Sequence, residues 1–330
     1  MTDPRYDVLA IGNAIVDVIS DATDAFLESH GLDKGSMRLI DEAEAESLYE
    51  AMGPGREISG GSAGNTAAGL AALGCRTAFA GQVASDQLGA IYKHDIEASG
   101  VDFLVEPRGD VGATARCLIL VTPDAQRTMN TFLGAANQLQ PGVIDEAAVA
   151  DAGIVYLEGY LWDLPHAKEA MEKAMDVARA AGRKVSFTLS DSFCIARHRA
   201  DFLRLIEEGK IDILFANEAE IVELAKKGDV DEAVEAIGPK VPLLVVTRSE
   251  KGAIAVEDGH RARVAAEKIS QLVDTTGAGD LFAAGFLAGQ AKGLDLEQSL
   301  KLGAIAAAEV IQHYGARPEA DLRELASAIL

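Results

Sequence analysis

The run from Asp274 to Asp280, Asp-Thr-Thr-Gly-Ala-Gly-Asp, combines residue types that can handle a phosphoryl group. Glycines let the backbone approach a ligand closely, and the free N–H groups at the start of a helix favour an anion. A helix-like stretch of small and apolar residues follows, so we place Asp280 in its first turn. A carboxylate there can accept the proton of an attacking hydroxyl, while the amides of Gly277, Ala278 and Gly279 stabilise the transferred phosphoryl group. A helix start capped by aspartate would explain Asp280, but not the glycines and the threonine pair.

A second glycine-rich run, from Gly60 to Gly69, also leads into a helix of small residues. Neither run is a P-loop, because GxxxxGK[ST] does not occur, and the dinucleotide fingerprint GxGxxG is missing after the first apolar run, where Gly12-Asn13-Ala14 stands. Close packing of a helix on a sheet explains the second run equally well when it is taken alone.

Short apolar runs rich in β-branched or aromatic residues alternate with helix-like stretches along most of the chain. The predicted strands are Tyr6–Ile11, Ala78–Val83, Ile154–Leu157, Val185–Leu189, Ile211–Phe215 and Leu243–Thr247, and the helices between them include His166–Ala181, Asp201–Glu208 and Glu218–Lys226. This alternation predicts an α/β fold: a three-layer, doubly wound, mostly parallel sheet buried on both faces. Such sheets bind ligands beyond the carboxyl ends of their strands.

Two segments interrupt the alternation, because Val18–Leu39 and Pro107–Leu133 look extended rather than helical. We predict that they form a small β-sheet lid, discontinuous in sequence over about 18–40 and 107–133, within a single kinase-like domain of residues 1–330. A lid suits a kinase, because closure keeps water away from the phosphoryl group. Edge hairpins without a function are the alternative interpretation.

Composition excludes several classes of protein. The chain has 330 residues and a formal net charge of −22, which disfavours a nucleic-acid partner. No apolar run approaches the ~20 residues that span a bilayer, and Met1–Asp7 lacks the basic-then-apolar layout of a secretory signal. We therefore expect a cytoplasmic protein without a membrane partner. Cys75, Cys117 and Cys194 are widely spaced and predict reduced core thiols.

Together, the two glycine-rich runs resemble the paired signatures of the ribokinase-like (PfkB) family of sugar and nucleoside kinases, and the resemblance covers nearly the whole chain. It implies an α/β core with a β lid and ATP as the phosphate donor. It also implies that Asp280 is the catalytic base and that Gly277, Ala278 and Gly279 form the anion hole.

The resemblance extends to the substrate side of the site. It implies that Asp17, which follows the first strand, binds hydroxyls of a sugar, and that Gly61 and Asn65 touch the same sugar. Asn13, shortly before Asp17, is a further candidate for binding the substrate. A carboxylate can accept hydrogen bonds from two vicinal hydroxyls. An aspartate after a strand is otherwise most often a helix cap, so the role of Asp17 depends on the resemblance.

Asn217-Glu218-Ala219-Glu220 looks like the family's NxxE motif. The resemblance implies that Asn217 and Glu220 organise Mg²⁺ through its waters, in keeping with the preference of this ion for oxygen ligands and retained water. An asparagine cap that opens a helix, with acids in its first turn, is the alternative.

ATP contacts are expected from Asn217, Thr247, Arg248 and Thr275. The family commonly has a glycine two residues after the position of Thr247, whereas this chain has Ser249. The departure leaves ATP binding expected, but it leaves the contacts around Arg248 and Ser249 open.

Within the family, the chain looks most like adenosine kinases, on the segments Thr131–Asn137, Ser186–Phe193 and Asp212–Glu218. We therefore expect the acceptor to be the 5′-hydroxyl of a purine nucleoside, with a flat apolar slot for the base. Candidate slot residues are Met37, Leu39, Leu133, Tyr160, Leu161 and Phe193. A sugar kinase for ribose, fructose or a keto-deoxy sugar acid is the alternative, and a kinase-fold binding protein without turnover is a third. The sequence leaves a monomer and a dimer equally open.

Overall fold

The computed structural model describes residues 3–124 and 126–330, so Met1, Thr2 and Ala125 lie outside the described residues, the last of them within the predicted lid segment 107–133. The strands are β1 Tyr6–Ile11, β2 Ile15–Asp21, β3 Met37–Leu39, β4 Arg56–Gly60, β5 Thr77–Ala80, β6 Val101–Phe103, β7 Ala115–Val121, β8 Arg127–Phe132, β9 Ala152–Glu158, β10 Lys184–Thr188, β11 Ile213–Asn217, β12 Leu243–Thr247, β13 Ala253–Glu257 and β14 His260–Val264. The helices are α1 Asp24–Ser29, α2 Glu42–Ala51, α3 Ser62–Ala72, α4 Gln87–Ala98, α5 Glu146–Ala150, α6 Pro165–Ala180, α7 Ser192–Glu207, α8 Glu218–Ala225, α9 Val230–Ile237, α10 Ala278–Ala291, α11 Leu296–Val310 and α12 Leu322–Leu325.

The main sheet has nine strands in the order β14-β13-β12-β11-β10-β9-β1-β5-β6. Its strands pair in parallel from β12 to β6, and β13 and β14 add an antiparallel edge. The predicted α/β fold class is confirmed. Each predicted strand is present, although the β5 strand ends at Ala80 rather than Val83, and the β11 strand runs to Asn217.

Two apolar layers cover the faces of this sheet. One contains α3, α10 and α11, with Leu281 and Phe286 among its buried side chains. The other contains α6 and α7, where Trp162 and Phe202 pack edge-on with ring centroids 5.8 Å apart. Glycine brings α10 and α11 into close contact, since a Cβ at Gly285 would lie 2.5 Å from the carbonyl oxygen of Leu302. The helix that begins at the glycine-rich motif is therefore held rigidly in the core.

A second sheet of five strands, ordered β3-β8-β7-β2-β4, accounts for the segments that interrupt the α/β alternation. The prediction that Val18–Leu39 is extended throughout is wrong, because α1 lies within it. Thr23 caps this helix by accepting a hydrogen bond from the amide of Phe26, and Leu27 is buried, so local capping and packing favour a helix there. In the described part of the chain, no helix is long and apolar enough to cross a membrane.

Candidate active site

The two glycine-rich runs each lead into a helix, and the starts of these two helices lie side by side. Within the described chain, α3 begins after Gly61 and α10 after Gly277, and neither start has a capping side chain. Both glycines have positive φ, 83° and 78°, which favours glycine over other residues. Aspartates such as Asp41 and Asp295 cap other helices of the chain. In these first turns the amide of Ala63 donates to Glu158 Oε2 and that of Ala278 to the carbonyl of Thr275, so the remaining first-turn amides of α3 and α10 are available to an anionic ligand.

The two helix starts meet at the carboxylate of Asp280. Ser62 Oγ donates to Oδ1 at 2.7 Å, and Asn65 Nδ2 donates to Oδ2 at 2.9 Å. The Asp280 side chain is half-buried, and this burial raises its pKa, while the two hydrogen bonds and the charge of Arg317 oppose the shift. A fixed carboxylate with a raised pKa beside free helix amides suits a general base.

The motif glycines before Asp280 have different surroundings. A Cβ at Gly277 would lie 2.6 Å from that of Ala316, so this glycine is required by packing as well as by its φ. A Cβ at Gly279 would meet nothing within 4 Å, so the backbone there faces open space. Gly279 thus leaves room for a ligand beside the amides at the start of α10.

Asp17, in the middle of β2, lies close to the same site. A Cβ at Gly60 would be 2.5 Å from Asp17 Oδ2, so glycine is needed there to admit the carboxylate. The pKa of Asp17 is raised to about 7, mainly by burial; the charges of Arg317 and Arg127 oppose this rise, and those of Asp280 and Asp274 contribute to it. The structure thus brings Asp17 together with Gly61, whose Cβ would collide with the carbonyl of Asn13, and with the Asp280 carboxylate.

Glu158, at the end of β9, is a buried member of the site that the sequence reasoning missed. Its Oε1 accepts from the amide and the Nδ2 of Asn13, at 2.7 and 2.8 Å, and its Oε2 accepts from the amide of Ala63 at 2.8 Å. Burial raises its pKa to about 7, although these donors favour the carboxylate. An acid directly after the apolar run Ile154–Leu157, at the ligand-binding edge of a parallel sheet, was the available signal.

Arg127, on β8 of the second sheet, is another functional candidate that the sequence analysis did not identify. Its Nη1 lies 2.7 Å from Asp274 Oδ2 and donates to Thr276 Oγ1 at 2.9 Å, and both ionic side chains are at least nine-tenths buried. Its Nε and Nη2 have no partner among the described residues. The second sheet is therefore tied to the loop before α10, with two guanidinium N–H groups left for an anion.

Three of the predicted ATP contacts, Asn217, Thr247 and Arg248, lie at the ends of the neighbouring strands β11 and β12. Asn217 of β11 pairs in register with Thr247 of β12, and Arg248 Nε donates to Glu218 Oε1 at 2.7 Å. Ser249 has a φ of 50°, in the left-handed region that favours glycine, the residue that the family resemblance leads us to expect at this position. Thr275 is exposed, and its carbonyl accepts from the amide of Ala278 at 3.2 Å.

Asn217 and Glu220 form a capping box at the start of α8. Glu220 Oε1 accepts from Asn217 Nδ2 at 2.6 Å, Glu220 Oε2 accepts from the amide of Asn217, and the amide of Glu220 donates to Asn217 Oδ1. Burial raises the pKa of Glu220 to about 7. This is the helix-start geometry that the sequence left open, so a role in holding Mg²⁺ stays a prediction.

The candidate slot residues fall into different environments. Met37, Leu39 and Phe193 are exposed, by 50%, 59% and 76%, and Leu133 and Tyr160 are half-buried. Leu161 is wrong as a slot residue, because its side chain is buried in the core layer that contains Trp162. Its 3₁₀ turn, Gly159–Asp163, directs it toward the sheet.

A family model described as pfkB family carbohydrate kinase matches residues 33–322. The chain belongs to this family. It is accordingly a kinase, a phosphotransferase with an alcohol group as acceptor, and the family implies ATP as the phosphate donor.

Relatives within the pfkB family include nucleoside and sugar kinases. The structure of an adenosine kinase from Sinorhizobium meliloti is 50% identical, covers 99% of this chain and 100% of its own, and has a TM-score of 0.91. A probable sugar kinase from Rhizobium etli CFN 42 is 49% identical with the same coverage and a TM-score of 0.92. An adenosine kinase from Saccharomyces cerevisiae is 27% identical and covers 96% of each chain.

The residues of this pfkB member fit a phosphate chain. Phosphoryl oxygens would find hydrogen-bond donors at the uncapped start of α10 and at the Arg127 Nε and Nη2, which have no partner among the described residues. The open side of Gly279 leaves space for them. Among the described residues, no group of three or more His, Cys, Asp or Glu side chains could hold a metal ion directly.

Proposed function

We propose that this kinase transfers the γ-phosphoryl group of ATP to the 5′-hydroxyl of a purine nucleoside, with adenosine as the preferred acceptor. The observation that carries the proposal is the apolar face of the second sheet around Asp17. Side chains directly opposite one another in paired strands share a face, and side chains alternate between faces along a strand.

The pairing register places several apolar side chains on the same face as Asp17. Asp17 pairs with Cys117, which pairs with Thr131, and Thr131 pairs with Leu39. Two positions along, Ile119 pairs with Met129, and Met129 pairs with Met37. We define these six neighbours of Asp17 as the apolar lid face: Met37, Leu39, Cys117, Ile119, Met129 and Thr131. Met37 and Leu39 are the exposed members of this face, so a flat base can stack on them, whereas Cys117 and Ile119 are buried. A free sugar would gain little from such an apolar contact.

Polar groups for the ribosyl part lie next to this apolar lid face. Asn13 and Asn65 are buried, and the Oδ1 of each has no hydrogen-bond partner in the described parts of the chain. Buried acceptors of this kind suit the hydroxyls of a bound ligand. With the carboxylate of Asp17, they supply acceptors for vicinal hydroxyls beside the apolar surface.

In the proposed reaction, the acceptor hydroxyl lies against Asp280, which takes its proton as the bond to phosphorus forms. The first-turn amides of α10 and the free N–H groups of Arg127 stabilise negative charge on the transferred group. Since Arg127 belongs to the second sheet and is paired with Asp274, it holds that sheet beside the start of α10, where the sheet can shield the phosphoryl group from water.

Mg²⁺ is part of the proposal, as the ion that neutralises phosphate charge when bound. Asn217 and Glu220 would act on it through water, because the Glu220 carboxylate is already engaged by Asn217.

A sugar kinase is the second candidate. The polar floor built by Glu158, Asn13 and Asn65 favours it, because several buried hydrogen-bonding groups suit a polyhydroxyl ligand. The similarity to the probable sugar kinase of Rhizobium etli agrees with this reading.

An ATP-consumption assay with adenosine, ribose, fructose and a keto-deoxy sugar acid tests the proposal. We expect the highest kcat/KM for adenosine, because the base adds binding energy on the apolar lid face. Leu39→Asp should raise the KM for adenosine while leaving ATP unaffected. Arg38→Ala is the matched control, since Arg38 lies on the same strand and points to the opposite face, toward Asn130. A higher kcat/KM for any free sugar than for adenosine would refute the nucleoside assignment.

A further inference from the structure

Arg317, in the segment after α11, joins two parts of the substrate site. Its Nη1 donates to the carbonyl of Gly64 at 2.6 Å. Its Nε and Nη2 donate to the carbonyl of Ser59 at 3.1 and 2.8 Å, and Nη2 also donates to Ser59 Oγ at 2.9 Å. A single guanidinium group therefore links the end of β4 to the first turn of α3, on either side of the Gly60-Gly61 turn.

The same segment also supports the loop before α10. The amide of Val273 donates to the carbonyl of Ile311 at 2.9 Å, and the amide of Gly315 donates to Asp274 Oδ2 at 3.0 Å. Ala316 lies against Gly277, where it leaves no room for a Cβ. The residues from 311 to 317 thus touch both glycine-rich motifs, which are more than 200 positions apart in the sequence.

The charge of Arg317 acts on both functional carboxylates of the site. It lowers the pKa of Asp17 and of Asp280, against the effect of their burial. Other charged or titratable groups face this cluster from the neighbouring elements: Tyr92 and Asp95 of α4 face Arg317, and Arg127 and Asp274 face Asp17. Asp95 is itself fixed by the amide and the hydroxyl of Ser59, both at 2.7 Å. Acids outnumber bases in this cluster, so a missing guanidinium would leave uncompensated negative charge.

We propose that Arg317 is a positioning residue for phosphoryl transfer, which fixes the Ser59–Asn65 turn against the α10 start and supplies positive charge beside the carboxylates of Asp17 and Asp280. The inference rests on the proposed roles of those two carboxylates, but it does not depend on which alcohol is the acceptor. Arg317 reaches the turn with a forked set of donors that lysine cannot reproduce.

The test compares Arg317→Met and Arg317→Lys with the exposed control Arg323→Met, using the acceptor that the wild-type enzyme phosphorylates best. Arg317→Met removes the charge, so the pKa of both carboxylates should rise. The acidic limb of the kcat/KM profile should then move up by at least about half a pH unit. Arg317→Lys keeps the charge and loses the fork, so the limb should stay in place while the KM for the acceptor rises about three- to tenfold. Arg323→Met should match the wild type in the position of the acidic limb and in the KM for the acceptor.

Thermal unfolding identifies which variants are folded. A folded Arg317→Met enzyme whose acidic limb matches that of the wild type overturns the proposal, whatever its KM. If Arg317→Met does not fold, Arg317→Lys decides: a raised KM with an unmoved limb supports the positioning role, and an unchanged KM overturns it. Failure of the nucleoside assignment is a separate result, because it would appear in the wild-type enzyme as a higher kcat/KM for a free sugar than for adenosine.

Discussion

Replacement of Asp280 by asparagine separates its chemical role from its structural one. The substitution keeps the size of the side chain and one acceptor oxygen, so Ser62 Oγ can still donate to it. The new amide would face the Nδ2 of Asn65, which now donates to Asp280. Because Asn65 Oδ1 has no partner within the described residues, the Asn65 amide can reverse and accept instead.

The two effects of Asp280→Asn therefore differ greatly in size. Exchanging charge-assisted hydrogen bonds for neutral ones costs roughly 1 kcal/mol each, and relief of a buried charge offsets part of this. We expect the free energy of unfolding to change by less than about 2 kcal/mol. Loss of general-base catalysis should lower kcat by about 10²–10⁴-fold, which corresponds to roughly 3–5.5 kcal/mol in the barrier.

The assay measures kcat with saturating ATP and acceptor, with binding of each ligand followed by calorimetry and the melting temperature by scanning calorimetry. Asp295→Asn is the matched control, because Asp295 caps α11 through the amide of Gln298 and is exposed. The part of the acidic limb that Asp280 contributes should disappear in the Asp280 variant, because its base no longer titrates, while the part from Asp17 should remain. A folded Asp280→Asn enzyme that binds both ligands and has a kcat within threefold of the wild type would refute the reasoning.

Three further predictions follow from the surroundings of other site residues. Gly279→Ala should lower kcat with little change in melting temperature, because the added Cβ meets no protein atom within 4 Å. Gly277→Ala should lower the melting temperature, because the residue has a φ of 78° and the added Cβ would collide with Ala316. Equal melting temperatures for the two variants would contradict this contrast. The pKa of the Asp17 carboxyl is raised to about 7, so the folded chain binds the proton of this carboxyl more tightly than the unfolded chain does. Protonation of Asp17 therefore stabilises the fold fully below the ordinary pKa of 3.8, and this stabilisation is lost as the pH rises to about 7. Asp17→Asn should therefore flatten the fall in melting temperature between pH 4 and 7, measured by scanning calorimetry, and weaken acceptor binding but not ATP binding. Glu220→Gln should raise the Mg²⁺ concentration needed for half-maximal activity; an unchanged titration with a lower melting temperature would leave Glu220 as a helix cap.

Local sequence determined the elements and the chemistry of the helix start at Asp280. β-branched runs formed the parallel strands, and β1 and β12 have the bounds that were predicted. The left-handed glycine Gly277 and the acid three residues later could be placed from sequence, because φ preference and helix amides are properties of neighbouring residues. Family membership followed from the same short runs.

Tertiary structure alone decided what surrounds that carboxylate. Asn65 reaches Asp280 across 215 positions and Arg317 reaches Ser59 across 258, and no local preference encodes such pairs. Side-chain surroundings were equally hidden: Leu161 looked like a slot residue but is buried in the core, and Arg127 on β8 of the second sheet contacts Asp274. Such contacts arise from the packing of two sheets and their helices, where each partner's position depends on the whole core, so a sequence read segment by segment cannot contain them.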